Sequence, residues 1–262
     1  MLLYQLGNFI IIVYVYPSRN CANKKGPEPG YYYVKINGFN AVQECECHKS
    51  WRRSEELYRL AEESNVYTSL SFRDYKGDLS RTDLRCLQKV AENPKKFLDR
   101  GSMIYLYGPN GTQKTSMAKV LGCSLIKSDY SVYYTRMNEM IQVAIDANSF
   151  NDGESSTAEN SYKKMLASDF LIIDESFDKN KITLYRSGYQ IPYLDNFIRE
   201  RYESKRKPII FISNVKPTEI DENLFGKSLK DLIVRSTAES CLEFYDKFIE
   251  NRINTSRTAL FN

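Results

Sequence analysis

The chain of 262 residues is expected to fold as an α/β protein: a parallel sheet flanked by helices, with a small cysteine-containing module at the N-terminus. Three observations predict it. The apolar runs at 170–173 and 209–212 are hydrophobic at successive positions, which suits strands covered by helices on both faces. These runs alternate with amphipathic helical stretches, as crossovers between parallel strands require. A glycine-containing turn, "GPNGTQKT" (108–115), stands between one such strand and one such helix.

Along the chain, residues 1–50 read as a β-rich module, with strand-like pieces, turns such as "KKGPEPG" and a closing "CECHKSW". The apolar stretch 9–16 is too short to cross a bilayer, and its β-branched and aromatic content reads as a strand. No basic residue precedes it and no small-residue cleavage site follows, so neither export nor a membrane is expected. Residues 51–100 read as a helical linker leading into the second domain. "SEELYRLAEES" would open on Ser54 as N-cap, and "TDLRCLQKVAENP" would stop at Pro94. Residues 101–262 form the expected core, with strands at 102–108, 131–137, 168–175 and 207–214. The polar stretch 147–160 reads as a loop between two helical segments.

Composition sets the bounds. A hydrophobic fraction of 42% with 13% aromatics belongs to a folded chain. The net charge of +4 permits nucleic-acid contact without demanding it. Six cysteines, unevenly spread, do not make a secreted disulfide framework, and they point to a reducing cytosol. Cys86, Cys123 and Cys241 read as core or half-buried thiols.

The chemistry gathers at three strand ends. In "LYGPNGTQKTSMAK" (106–119), residues Gly108, Pro109, Asn110, Gly111, Thr112, Gln113, Lys114, Thr115 and Ser116 form a candidate phosphate loop. Successive backbone N–H groups there, with a helix N-terminus behind them, make an anion nest. Lys114 would neutralise β- and γ-phosphate oxygens, and the Thr115 hydroxyl would coordinate Mg²⁺. Gln113 departs from the common pattern, which has glycine before the lysine. A side chain at positive φ costs on the order of 1 kcal/mol, a penalty the loop can bear if the amide points outward.

The strand "FLIIDE" (170–175) then delivers Asp174 toward that Mg²⁺ and Glu175 as general base. Asn214, at the tip of "IIFISN", either orients water near the γ-phosphate or simply forms the turn before "VKP".

With these motifs in place, the chain resembles the DnaC/DnaI-type (IstB-like) bacterial and phage helicase loaders within the AAA+ ATPases, over about residues 50–250. The resemblance implies an AAA+ P-loop NTPase core, ATP and Mg²⁺ as ligands, and a replicative DNA helicase and single-stranded DNA as partners. It also implies a cytoplasmic homo-oligomer with ATP at subunit junctions. Arg235, in the tail 225–252, matches the arginine-finger segment; a helix-surface charge is the alternative. The segment 178–190 mixes Lys179, Lys181 and Arg186 with Tyr185 and Tyr189, chemistry suited to single-stranded DNA, though lysine- and tyrosine-rich surface loops are common.

Similar loaders often carry a cysteine-rich N-terminal module. Here Cys21, Cys45, Cys47 and His48 are a candidate zinc set. Adjacent Cys47 and His48 rarely reach one metal together, so reduced cysteines in a metal-free docking module are the other reading. Transposition helper ATPases share these motifs. They remain an alternative, as do a nucleotide-gated adaptor with little turnover and a small-molecule kinase.

Overall fold

The structure, a computed structural model, describes residues 2–6, 9–13, 31–36, 39–78, 82–148, 155–182 and 190–245. The chain divides into two units, 1–59 and 60–262.

The first unit contains two antiparallel hairpins. One pairs β1 (Leu2–Leu6) with β2 (Phe9–Val13), the other β3 (Tyr31–Ile36) with β4 (Phe39–Glu44). Helix α1 (Glu46–Glu63) follows after a single residue and runs on into the second unit. Ser54 therefore does not cap a helix. It lies inside α1, where its hydroxyl donates back to the Ser50 carbonyl at 3.0 Å, a bond open to any serine one turn on.

The second unit is the α/β core. Its five strands lie in the order β6-β7-β8-β5-β9, and every pairing is parallel. In chain order, α2 (Thr82–Glu92) and α3 (Pro94–Arg100) lead into β5 (Met103–Tyr107). Pro94 ends one helix and starts the next, since proline cannot continue a helix but suits its first position. Then come α4 (Lys114–Lys127), β6 (Val132–Arg136), α5 (Met137–Ala147), α6 (Ser155–Ala167) and β7 (Phe170–Asp174). The polar stretch read as a loop is shorter than expected, because α6 already takes in Ser155.

The chain continues through α7 (Gln190–Arg199), a π-helical turn Glu200–Ser204 and β8 (Ile209–Ser213). Last are α8 (Glu222–Phe225), α9 (Lys227–Ser236) and the short edge strand β9 (Cys241–Glu243).

The central strands are buried along their length, as their unbroken apolar runs require. Tyr105, Phe177, Phe211 and Phe225 form an aromatic knot against the sheet, with ring centroids 5.4 to 6.4 Å apart. Among the described residues, one cation is fully buried. Arg201 donates to the carbonyls of Met165, Leu166, Ser168, Asp169 and Pro208, joining the end of α6 to the start of β8. No helix among the described residues is long and apolar enough to cross a membrane.

Candidate functional site: a phosphate loop with two carboxylates

Parallel strands aim their C-terminal ends at one edge of the sheet, and the cavity lies there. It encloses about 260 Å³ and is lined by Asn110 to Ser116 from the loop, Asp174 at the end of β7 and Glu175 just after it, Lys181, and Ile212 to Asn214 at the tip of β8.

Gly108 opens the loop with φ 143, and an added Cβ would sit 1.9 Å from the Phe244 carbonyl oxygen. Glycine is thus dictated at 108 by the backbone that follows β9. Gly111 (φ 83) completes the turn, and the Thr112 hydroxyl donates to the Pro109 carbonyl at 3.0 Å. Gln113 takes the left-handed conformation (φ 64, ψ 16), and its carbonyl accepts the first bond of α4 from Met117 at 2.9 Å. Its side chain points away from the anion nest: Oε1 accepts the Lys76 backbone N–H at 2.9 Å.

Lys114 is buried at 7% exposure, and its Nζ donates to the carbonyls of Gly108 and Pro109, both at 2.7 Å. Burial drives its pKa down to about 8, against the pull of the nearby Asp174 carboxylate. A buried ammonium held chiefly by neutral carbonyls fits an incoming anion, which would supply the missing counter-charge.

Asp174 is equally buried and fully engaged. Its Oδ2 accepts from the Thr115 hydroxyl at 2.8 Å and the Tyr134 hydroxyl at 2.7 Å, and its Oδ1 from the Glu175 amide at 2.7 Å. The hard oxygens of Thr115 and Asp174 suit Mg²⁺. Glu175 also sits at positive φ (54), half out in solvent, with Arg136 Nε at 3.9 Å and Lys181 Nζ at 3.5 Å. Asn214 lies across the cavity, its Nδ2 donating to Asp178 Oδ2 at 3.3 Å.

The structure thus brings the loop residues, Asp174, Glu175 and Asn214 together. Arg235 lies elsewhere, exposed on α9, with its Nε donating to the Asp231 carbonyl at 3.2 Å and no acidic partner among the described residues. Lys181, grouped by sequence with residues for DNA, also lines this cavity, its Nζ 3.5 Å from Glu175 Oε1. Tyr185, Arg186 and Tyr189 fall outside the described residues.

Sequence reasoning missed Tyr134 and Arg136. The alternation that puts both on one face of β6 was available in the sequence, whereas the register that sets Arg136 beside Asp174 arises only when the strands pair. Burial raises the Tyr134 phenol pKa far above its ordinary value, with the Asp174 carboxylate adding to it, so the tyrosine stays a donor.

The candidate zinc set does not assemble among the described residues, which contain no group of three or more His, Cys, Asp or Glu able to hold a metal. Cys21 lies outside them, as does the Cys47 side chain. His48 is already committed, with Nδ1 2.5 Å from Glu44 Oε1 and its ring between Tyr31 and Trp51. Cys45 is a buried thiol in the residue just before α1. Cys86, Cys123 and Cys241 are free and half-buried.

Comparison with known families turns this geometry into an assignment. Residues 39–229 match the family described as IstB-like ATP binding protein. The chain belongs to that family. This IstB-like chain therefore carries an ATP-binding domain of the AAA+ P-loop type, and similar folds recur among replication proteins.

The replication initiator DnaA bound to AMPPCP and single-stranded DNA superposes with a TM-score of 0.53 at 17% identity, covering 68% of this chain and 50% of that one. Domain III of the Thermotoga maritima DnaA gives 0.52 at 19% identity, covering 71% of each chain. The DnaC helicase loader gives 0.50 at 16% identity, covering 70% of this chain and 98% of that one. These likenesses establish the fold, and the chain spans about half the length of the first DnaA structure. A sequence search of curated proteins returned no match.

Proposed function

We propose that the chain is an ATP-hydrolysing loader that places a replicative DNA helicase on single-stranded DNA. One observation carries the reading: Lys114, Thr115, Asp174, Glu175 and Asn214, from three separate segments of sequence, line a single cavity at the carboxyl edge of the sheet. That is the donor set phosphoryl transfer to water needs.

In this reading the loop amides and Lys114 bind the triphosphate, and Thr115 and Asp174 hold magnesium. When bound, the ion neutralises charge on the phosphate oxygens. Asp174 is oriented by Tyr134, and Asn214 positions the γ-phosphate or the attacking water. Glu175 accepts the proton of that water, having first loosened its contacts with Arg136 and Lys181. Arg235, exposed on α9, reaches a neighbouring subunit's nucleotide in a cytoplasmic homo-oligomer. Residues 1–50 serve as the docking module for the helicase, 51–100 as helical linker and start of the ATPase domain, and 101–262 as the motor core.

Support for the partners comes from the family membership together with the neighbours of similar fold, one a helicase loader and one bound to single-stranded DNA. The family match equally favours a second reading, a transposition helper ATPase. A pull-down against a replicative helicase, with and without ATP, separates the two. Capture of the helicase supports the loader. Its failure in both conditions, with ATP binding intact, favours the transposition helper.

A further inference from the structure

We infer that Gln113 is a positioning residue of the nucleotide site, tying the segment 66–76 to the phosphate loop so that both respond to a triphosphate together. The inference rests on the ATP-binding reading above.

The segment runs back along α4, fixed at both ends. At one end Val66 is fully buried against Gly122, where an added Cβ would come within 2.9 Å of the valine, and the Cys123 thiol donates to the Val66 carbonyl at 3.1 Å. Midway, the Ser71 amide and hydroxyl both donate to Asp74 Oδ2 at 2.7 Å, folding the chain into a tight turn. At the other end the Lys76 amide donates to Gln113 Oε1 at 2.9 Å, across 37 residues of sequence.

Tyr75, 4% exposed, stands edge-on to Phe244 with ring centroids 5.9 Å apart. The Phe244 amide in turn donates to the Tyr107 carbonyl at 2.8 Å, and its own carbonyl crowds Gly108. The segment therefore brackets the loop: Tyr75 reaches its start through Phe244, and Lys76 reaches its end through Gln113. The side chain that replaces the usual glycine supplies the second bracket. A left-handed glutamine is strained, and this bond is what its side chain gives in return.

Amide hydrogen exchange on the full chain, with and without ATP and Mg²⁺, tests the inference in two variants. Gln113→Met keeps the length of the side chain and removes the carbonyl, whereas Gln113→Glu keeps an acceptor. Without nucleotide, the Lys76 amide should exchange about fivefold faster in Q113M than in the wild type, as loss of one hydrogen bond implies, and be restored in Q113E. With ATP and Mg²⁺, protection should rise at 110–116 and 71–76 together in the wild type, but only at 110–116 in Q113M.

Equal Lys76 exchange in wild type and Q113M, or an equal response of 71–76 in both, would overturn the inference. If ATP leaves wild-type 110–116 unchanged, the nucleotide reading fails and the coupling with it. The nucleotide-free comparison then upholds or overturns the tether itself.

Discussion

Lys114 is the residue whose chemistry should change most when nucleotide arrives. Its pKa of about 8 lies below the ordinary lysine value because burial disfavours the ammonium. The unfolded chain thus binds more protons than the folded one between about pH 8 and pH 10.5, and this residue's contribution to stability rises with pH across that window. Phosphate reverses the shift by stabilising the charged form. Binding above about pH 8 should therefore take up a proton, and calorimetry at pH 8.5 in buffers of different ionisation enthalpy should give different apparent heats. Identical heats would mean that Lys114 is not the phosphate contact. Tyr134 offers a second test. It donates to the Asp174 oxygen that also accepts from Thr115, so Tyr134→Phe leaves the carboxylate freer to turn. The Mg²⁺ concentration for half-maximal hydrolysis should rise about tenfold or more, the usual effect of losing an outer partner of a metal-holding group. An unchanged magnesium titration would remove Tyr134 from the site.

At the scale of elements, the phosphate loop is bound to an edge strand no wider than three residues. The Phe244 carbonyl lies where a Gly108 Cβ would go, and φ 143 is unfavourable for any side chain. Gly108→Ala should cost about 2 kcal/mol or more in a denaturant titration, by displacing the chain after β9. A smaller change would mean that the edge yields easily. This dependence was not legible in the sequence, and the reason is physical. Strands β5, β7 and β8 announce themselves through unbroken apolar runs, because both faces are covered. Strand β9 contributes only Cys241 to Glu243, too short for any periodicity. The loop and the carboxylates were legible because their spacing and their place after buried strands carry the chemistry. Lys181 and the Gln113 contact were not, since each depends on a partner brought near only by folding. The start of α1 was hidden for another reason: the cysteine-rich "ECECHKSW" suggested metal, whereas from Glu46 onward it is simply the first turns of a helix.

For the whole molecule, the proposal needs more than one subunit, because Arg235 lies outside the cavity its own chain builds. Glu175→Gln should lose about 10² to 10⁴-fold in hydrolysis while keeping ATP, as removal of a general base implies. Arg235→Ala should lose at least 10³-fold if it acts as a finger in trans. Mixing the two should restore part of the activity, since one variant supplies an intact base and the other an intact guanidinium. Full activity of Arg235→Ala alone would return that residue to the helix surface. All of this depends on the cavity accepting a triphosphate with a left-handed glutamine in its wall. The most direct measurement is a calorimetric titration of ATP with Mg²⁺ into the wild type and Lys114→Ala. Saturable binding of one nucleotide per wild-type chain, weakened about tenfold to hundredfold in Lys114→Ala, is the predicted result. Absence of binding by the wild type, or equal affinity of the two proteins, would contradict the account.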